Sequence, residues 1–324
     1  MEDDKLLLVE NLNTWFYTES GVVKALEDVS FSVARGEILG LVGETGCGKS
    51  VTSSSIMRLI PSPPGKIVSG RIMFDGEDIV QASPERMRQI RGKDIAMIFQ
   101  DPMSSLNPVF TVGRQVEEAV RVHNPDMSRA QVHTRALEMF EKVNIPDPDK
   151  SMKRFPHQFS GGMKQRVMIA MALSCNPRLL IADEPTTALD VSIQAQILLL
   201  IKNLQKDFGS SIILISHDLG VIATMAQKVA VMYAGSIVEY GAVKDIFETP
   251  LHPYTRGLLG AIPRLDRDQE ALEVIPGTLP NLLHLPPGCK FRPRCPYASE
   301  RCAIARPKRV VAREGHEVAC YEYS

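Results

Sequence analysis

The 324-residue chain has no apolar run long enough to cross a bilayer. Its longest, Ile197-Leu198-Leu199-Leu200-Ile201 and Ile212-Ile213-Leu214-Ile215, fall far short of the ~18–20 residues a spanning helix needs. The acidic start Met1-Glu2-Asp3-Asp4 lacks a small-residue cleavage pattern, so no signal peptide is expected and the chain reads as cytoplasmic. No charge of one sign dominates: the formal net charge of −1 points to no particular partner. Cysteine is scarce, with six in all, and in a reducing compartment structural disulfides are not expected. Yet Cys289, Cys295, Cys302 and Cys320 crowd into the end of the chain, a skew that needs its own cause. What remains, 44% hydrophobic and 23% charged, suffices for one large α/β domain plus a smaller appendage.

The most informative stretch is Gly43-Glu44-Thr45-Gly46-Cys47-Gly48-Lys49-Ser50, which fits the phosphate-loop pattern G-x-x-x-x-G-K-[ST] at every defining position. A short apolar run, residues 38–42, precedes it, and the spacing predicts a helix over 50–60, with Val51 in its first turn. Gly43, Gly46 and Gly48 lack a Cβ, so the backbone can wrap a phosphate and aim its N–H groups inward at a helix start. Lys49 supplies positive charge to the β- and γ-phosphates, and the Ser50 hydroxyl is placed for Mg²⁺. Cys47 stands at a variable position and reads as a small loop filler rather than a reactive thiol, although a thiol reagent attached to it would block the site.

Residues 6–33 read as β-structure, with Trp15, Phe16 and Tyr17 as the densest aromatic group. Those rings suit either core packing or stacking on a nucleotide base. Leu12, Thr14 and Phe16 are expected on one strand face, Trp15 and Tyr17 on the other. An apolar strand over 95–99 ends on Gln100, a Mg²⁺ ligand or a strand-end amide bonded to backbone, and a flexible exit follows from Asp101 to Pro108. A helical subdomain is expected over about 101–175. Near its end Ser160-Gly161-Gly162 opens a helix, as an anion nest or a plain N-cap. A buried strand then ends on Asp183 and Glu184, the pattern of a Mg²⁺-holding carboxylate beside one that polarises water. Thr186-Thr187-Ala188-Leu189-Asp190 follows, and a further strand ends on Ser216-His217-Asp218.

This ordered set resembles the ATP-binding cassette (ABC) ATPases over roughly residues 6–250. The resemblance implies a P-loop core with a mixed sheet and a RecA-like subdomain, a helical subdomain, and ATP with Mg²⁺ as the substrate pair. It implies Phe16 as the adenine-stacking aromatic, with Tyr17 and Trp15 as fallbacks, and Gln100 as reporter of the γ-phosphate. Ser160, Gly161 and Gly162 become the signature that meets the nucleotide of an opposite subunit, although Phe159 and Met163 depart from the common L-S-G-G-Q form. Asp183 holds Mg²⁺, Glu184 is the general base, Asp190 signals across the dimer, and His217 is the switch histidine, otherwise a structural residue.

The tail, 251–324, is Pro-rich over 276–287 and then carries the spacing Cys289-x5-Cys295-x6-Cys302-x17-Cys320. Eight Lys or Arg against four Glu from residue 288 onward suit an anionic thiolate cluster. Zinc sites usually begin with C-x2–4-C, which is missing here, so the spacing leans to a 4Fe-4S cluster with Zn²⁺ as the alternative. His252-Pro253-Tyr254-Thr255 and the segment from Pro287 to Pro296 resemble the C-terminal extension of the dipeptide and oligopeptide importer ATPases. That resemblance implies a peptide importer, or a nickel importer, at the cytoplasmic face of the membrane. Its partners would be two polytopic permease subunits, a second related ATPase subunit favouring a heterodimer, and an external binding protein; nucleic acid is not among them. Some members of that family hold an iron-sulfur cluster on such cysteines, as a staple for a small tail or as a redox element. A soluble ABC ATPase without a transport role is the competing class.

Overall fold

A computed structural model describes residues 4–101, 105–187, 189–261 and 275–324. Outside it fall Met1, Glu2 and Asp3 of the acidic start, Pro102, Met103 and Ser104 of the segment after Gln100, and Ala188 of the loop before Asp190. The strands are β1 (Lys5–Thr18), β2 (Gly21–Ala34), β3 (Ile38–Val42), β4 (Gly65–Phe74), β5 (Glu77–Asp78) and β6 (Ile95–Ile98). They continue as β7 (Leu179–Asp183), β8 (Ser211–Ile215), β9 (Lys228–Tyr233), β10 (Ser236–Ala242), β11 (Val310–Arg313) and β12 (His316–Val318). The chain divides into two compact units, one of Ala34–Glu37 and Gln81–Leu214, the other of Glu2–Val33, Ile38–Val80 and Ile215–Ser324. Among the described residues no helix is long and apolar enough to cross a membrane.

The second unit holds an antiparallel sheet in the order β2-β1-β4-β5. In β1 the register shifts between Glu10 and Asn13, where Asn11 adopts φ 47, a left-handed backbone that Asn tolerates better than most residues. The extra residue switches the parity of the strand, so that Leu7 and Val9 are buried before it and Leu12 and Thr14 after it. Thr14 is satisfied there by a 2.9 Å hydrogen bond with Ser55. Beside it runs the order β11-β12-β10-β9-β3, in which β3 is buried at every position and lies parallel to β9. A strand covered on both faces must be continuously apolar, which is the pattern of residues 38–42.

The first unit carries β8, β7 and β6 side by side, with β6 parallel to β7. Its helices Val112–His123, Arg129–Lys142 and Gly161–Leu173 pack on one another. Val112, Val116 and Val120 form the buried stripe of the first, and Val132, Ala136, Met139 and Phe140 that of the second. Thr111 caps the first through the Arg114 N–H, and Ser128 opens the second with a reciprocal capping box to Gln131.

Two elements differ from the sequence expectation. The helix after the phosphate loop runs Lys49–Ile56 rather than to residue 60, because Arg58 turns left-handed at φ 49 and prolines at 61, 63 and 64 forbid continuation. The end of the tail also forms strands: β12 pairs with β10, adding the β11–β12 hairpin to the sheet.

The attachment of that hairpin depends on Glu239, whose carboxylate is fully buried on β10. It accepts the N–H groups of Leu251 (2.8 Å) and His252 (2.9 Å), and the Nε2–H of His316 on β12 at 2.7 Å. A carboxylate only accepts, so the imidazole must donate. One charge thus satisfies three donors from two later segments. Replacing Glu239 with Leu is expected to lower the unfolding free energy by about 3–5 kcal/mol, read as the midpoint of urea denaturation.

Candidate functional site

The phosphate loop sits between β3 and the helix Lys49–Ile56, as the motif requires. Gly43 has φ 150, and a Cβ there would stand 2.2 Å from the Met232 carbonyl oxygen. Gly46 has φ 84 and Gly48 φ 113, Gly48 being the N-cap of the helix. At Gly43 in particular no side chain fits. Lys49 is buried and donates to the carbonyls of Gly43 (2.8 Å) and Glu44 (3.1 Å), so its ammonium lies within the turn of its own loop. Thr45, Gly46 and Ser50 are exposed on the loop, and Val51 is half-buried.

Cys47 is fully buried, and burial above all pushes its thiol up to about 11, against a smaller opposing pull from Lys49. Its carbonyl accepts the Gly235 N–H at 2.7 Å. It is a packed filler whose backbone serves the loop. Phe16 is half-buried, paired across the strands with Gly65, where a Cβ would stand 2.9 Å from its ring. Tyr17 is the most open of the three aromatics, and the Lys24 ammonium lies 5.0 Å above the Trp15 ring. His217 is exposed just after β8, ahead of Asp218, which caps the helix Leu219–Met225 through the N–H groups of Gly220 and Val221.

In the other unit Asp183 ends β7 and is buried, and Glu184 follows at φ 47, a conformation costing a residue with a Cβ about 1–3 kcal/mol. One Glu184 oxygen accepts from the Gln100 amide at 2.8 Å and from the Thr187 hydroxyl at 2.9 Å. Gln100, exposed just past β6, and Glu184 are thereby brought together, and Thr187, which the sequence did not single out, holds the carboxylate's rotamer. Ser160 caps the helix Gly161–Leu173, its hydroxyl accepting the Met163 N–H. A Cβ on Gly162 would stand 2.7 Å from Ile193, so this glycine is also needed for packing against the helix Val191–Phe208. Ser160 and Gly161 are exposed, as is Asp190, which opens that helix without a side-chain cap bond.

Cys289, Cys295, Cys302 and Cys320 line one cavity of about 180 Å³, with Arg292 and Arg301 also on its wall. All four are free thiols. Burial pushes Cys289 and Cys295 up and Cys320 up to about 11. Among the described residues no group of three or more His, Cys, Asp or Glu side chains is placed to hold a metal ion, so the fold by itself does not support the expected cluster.

The ABC transporter family model matches residues 26–187, and the model for the oligopeptide/dipeptide transporter C-terminal region matches residues 238–302. The dipeptide transport ATP-binding protein DppD of Bacillus subtilis is 52% identical over 318 residues, covering 98% of this chain and 95% of the relative. The oligopeptide transport ATP-binding protein OppD of Escherichia coli is 50% identical, covering 94% of this chain and 89% of its own. Among solved structures, the dimeric ATP-binding cassette MJ0796 bound to ADP and Pi superposes with a TM-score of 0.66 at 26% identity, covering 73% of this chain and 98% of that one. For cbiO1 of Clostridium perfringens the TM-score is 0.65 at 29% identity, with 76% and 92% covered.

The burial of Cys47 carries a direct expectation. At pH 7.5 a maleimide should leave the folded chain unlabelled at this position, and mass spectrometry should find Cys47 modified only after denaturation.

Proposed function

The chain belongs to the ABC transporter ATPases, and from this premise we propose that it energises the import of dipeptides or oligopeptides by hydrolysing ATP at the cytoplasmic face of a membrane. The observation that carries the peptide reading is the match of residues 238–302 to the oligopeptide/dipeptide transporter C-terminal region. A cassette alone says ATP; the tail is what narrows the cargo.

The chemistry follows from the chain's own groups. The glycine turn offers backbone N–H donors and a helix N-terminus to the triphosphate, and Lys49 needs only to leave its own loop carbonyls to reach a phosphate oxygen. Ser50, Gln100 and Asp183 are oxygen donors of the hard type that Mg²⁺ prefers, and they are the residues proposed to hold it. When bound, Mg²⁺ neutralises charge on the β- and γ-phosphates. Glu184 is the proposed general base for water, its carboxylate aimed by Thr187 and by Gln100. Gln100 thus ties its own position to that of the base. His217, exposed at the end of β8, is proposed to stabilise charge on the γ-phosphate. Phe16 is proposed to stack on adenine, with Tyr17, the more open ring, and Trp15 as the fallbacks.

The exposed Ser160 and Gly161, with Gly162 and Asp190, are proposed to serve a second ATPase subunit, related and non-identical, in a dimer that closes on nucleotide. Two membrane permease subunits and an external binding protein complete the assembly. Residues 1–250 form the proposed nucleotide-binding domain and 251–324 the extension.

For the tail we infer one group held by Cys289, Cys295, Cys302 and Cys320. What supports it is the cysteine spacing and the single cavity that the four thiols line, and a 4Fe-4S cluster is the group proposed, with Zn²⁺ as the alternative.

Two measurements test these readings. Glu184→Gln is expected to bind ATP while turnover falls ~10²–10⁴-fold, and hydrolysis at the wild-type rate would overturn the assignment of the base. Protein purified without air should carry about four iron and four acid-labile sulfide, lost when Cys295 becomes Ser. One zinc and no sulfide would replace the cluster with a structural metal.

A further inference from the structure

The phosphate loop is not left to hold its own shape. Its second residue, Glu44, is gripped twice by the C-terminal extension. The Arg294 guanidinium clasps the Glu44 carboxylate with two parallel hydrogen bonds, Nη1 to Oε2 at 2.8 Å and Nη2 to Oε1 at 2.9 Å. The Tyr254 hydroxyl accepts the Glu44 backbone N–H at 2.9 Å. Arg294 is itself fixed: it is buried, and its Nε donates to the Pro276 carbonyl at 2.8 Å. Tyr254 is fully buried, in edge contact with Tyr233 at 4.7 Å and 5.5 Å from the Phe291 ring.

A third link reaches the far side of the loop. The Lys290 ammonium donates to the Ala234 carbonyl and to Ser236, and the next residue, Gly235, donates its N–H to the Cys47 carbonyl. Within the five residues Lys290 to Arg294, which lie between Cys289 and Cys295, the tail thus braces both flanks of the phosphate turn.

A fork-to-fork Arg–carboxylate pair fixes angle as well as distance, and a buried guanidinium cannot wander to another partner. Its natural effect is on where the Glu44 backbone sits, and with it the Gly43 and Glu44 carbonyls to which Lys49 is bonded. We propose that Arg294 is a positioning residue for ATP hydrolysis: through Glu44 it holds the phosphate loop in the nucleotide-accepting shape, so that the tail acts on the ATP site. This rests on the reading of the loop as an ATP cradle.

The test uses the full chain with Arg294→Met, Arg294→Lys, Glu44→Gln and the Arg294→Met/Glu44→Gln double variant. Binding of a fluorescent ATP analogue, the KM and kcat for ATP, and the melting temperature without nucleotide are measured for each. Arg294→Met is expected to weaken ATP binding and raise KM about tenfold or more, the size expected for loss of a charge-assisted pair, with kcat changed much less. Glu44→Gln should do the same, the double variant should be no worse than the more damaging single, and Arg294→Lys should recover part of the affinity. A strap that is only structural would lower the melting temperature and the active fraction, hence kcat, and leave KM alone; that result overturns the proposal. So does an affinity within twofold of wild type for Arg294→Met, or losses that multiply in the double variant. Should Arg294→Met fail to fold, Arg294→Lys carries the comparison, since it keeps the charge and loses the fork. Failure of the wild-type protein to bind the analogue would instead defeat the ATPase reading itself.

Discussion

Close backbone-to-backbone packing around the phosphate loop is the constraint on which the rest of its unit depends. Gly43 passes the Met232 carbonyl with no room for a Cβ, and Gly235, equally confined by the Ala25 carbonyl, donates to Cys47. The Gly235 carbonyl in turn accepts the Glu27 N–H, tying the loop to β2 through the turn after β9. Contacts at that range allow one arrangement of the strands that flank the loop, because a carbonyl does not yield as a flexible side chain does. Rigidity of this kind suits the proposed phosphate cradle, because a loop already held in shape needs little reorganisation when its ligand arrives.

The tail extends the same logic with side chains. A segment with few buried hydrophobics of its own docks instead by charge and aromatic contact: Phe291 against Tyr233, Tyr254 and His252, Arg294 on Glu44, Lys290 on Ala234 and Glu27. Each buried charge has a partner, which is the condition for burying it at all. His252 illustrates the cost. Full burial pushes it down to about 3, so it stays neutral, and its Nδ1 accepts the Tyr254 N–H that starts the helix Pro253–Gly260. Because the folded value lies below the ordinary 6.5, its contribution is complete above that pH and is lost as pH falls toward the folded value.

In the other unit backbone strain marks the strand end that carries the acidic pair. Glu184 is held left-handed immediately after a fully buried strand, and its carboxylate is pinned from two directions. A buried β-strand presents its last side chains at a fixed angle, and the acidic pair lies at such a strand end, with Asp183 itself buried.

Much of this was legible in the sequence wherever function is local along the chain. The phosphate loop, the Ser160 cap and the Asp183–Glu184 pair are set by residues within a few positions of one another, and strand–loop–helix order alone places them. The tertiary structure decided the rest. The Asn11 register shift moves Thr14 into the core, which simple alternation over the whole strand does not reveal. The gathering of four cysteines around one cavity and the Thr187 grip on Glu184 appear only once the chain is folded. So does the clasp of Arg294 on Glu44, residues 250 positions apart. Short-range geometry is written by connectivity and residue type, whereas pairing across that distance depends on which surfaces the fold buries together.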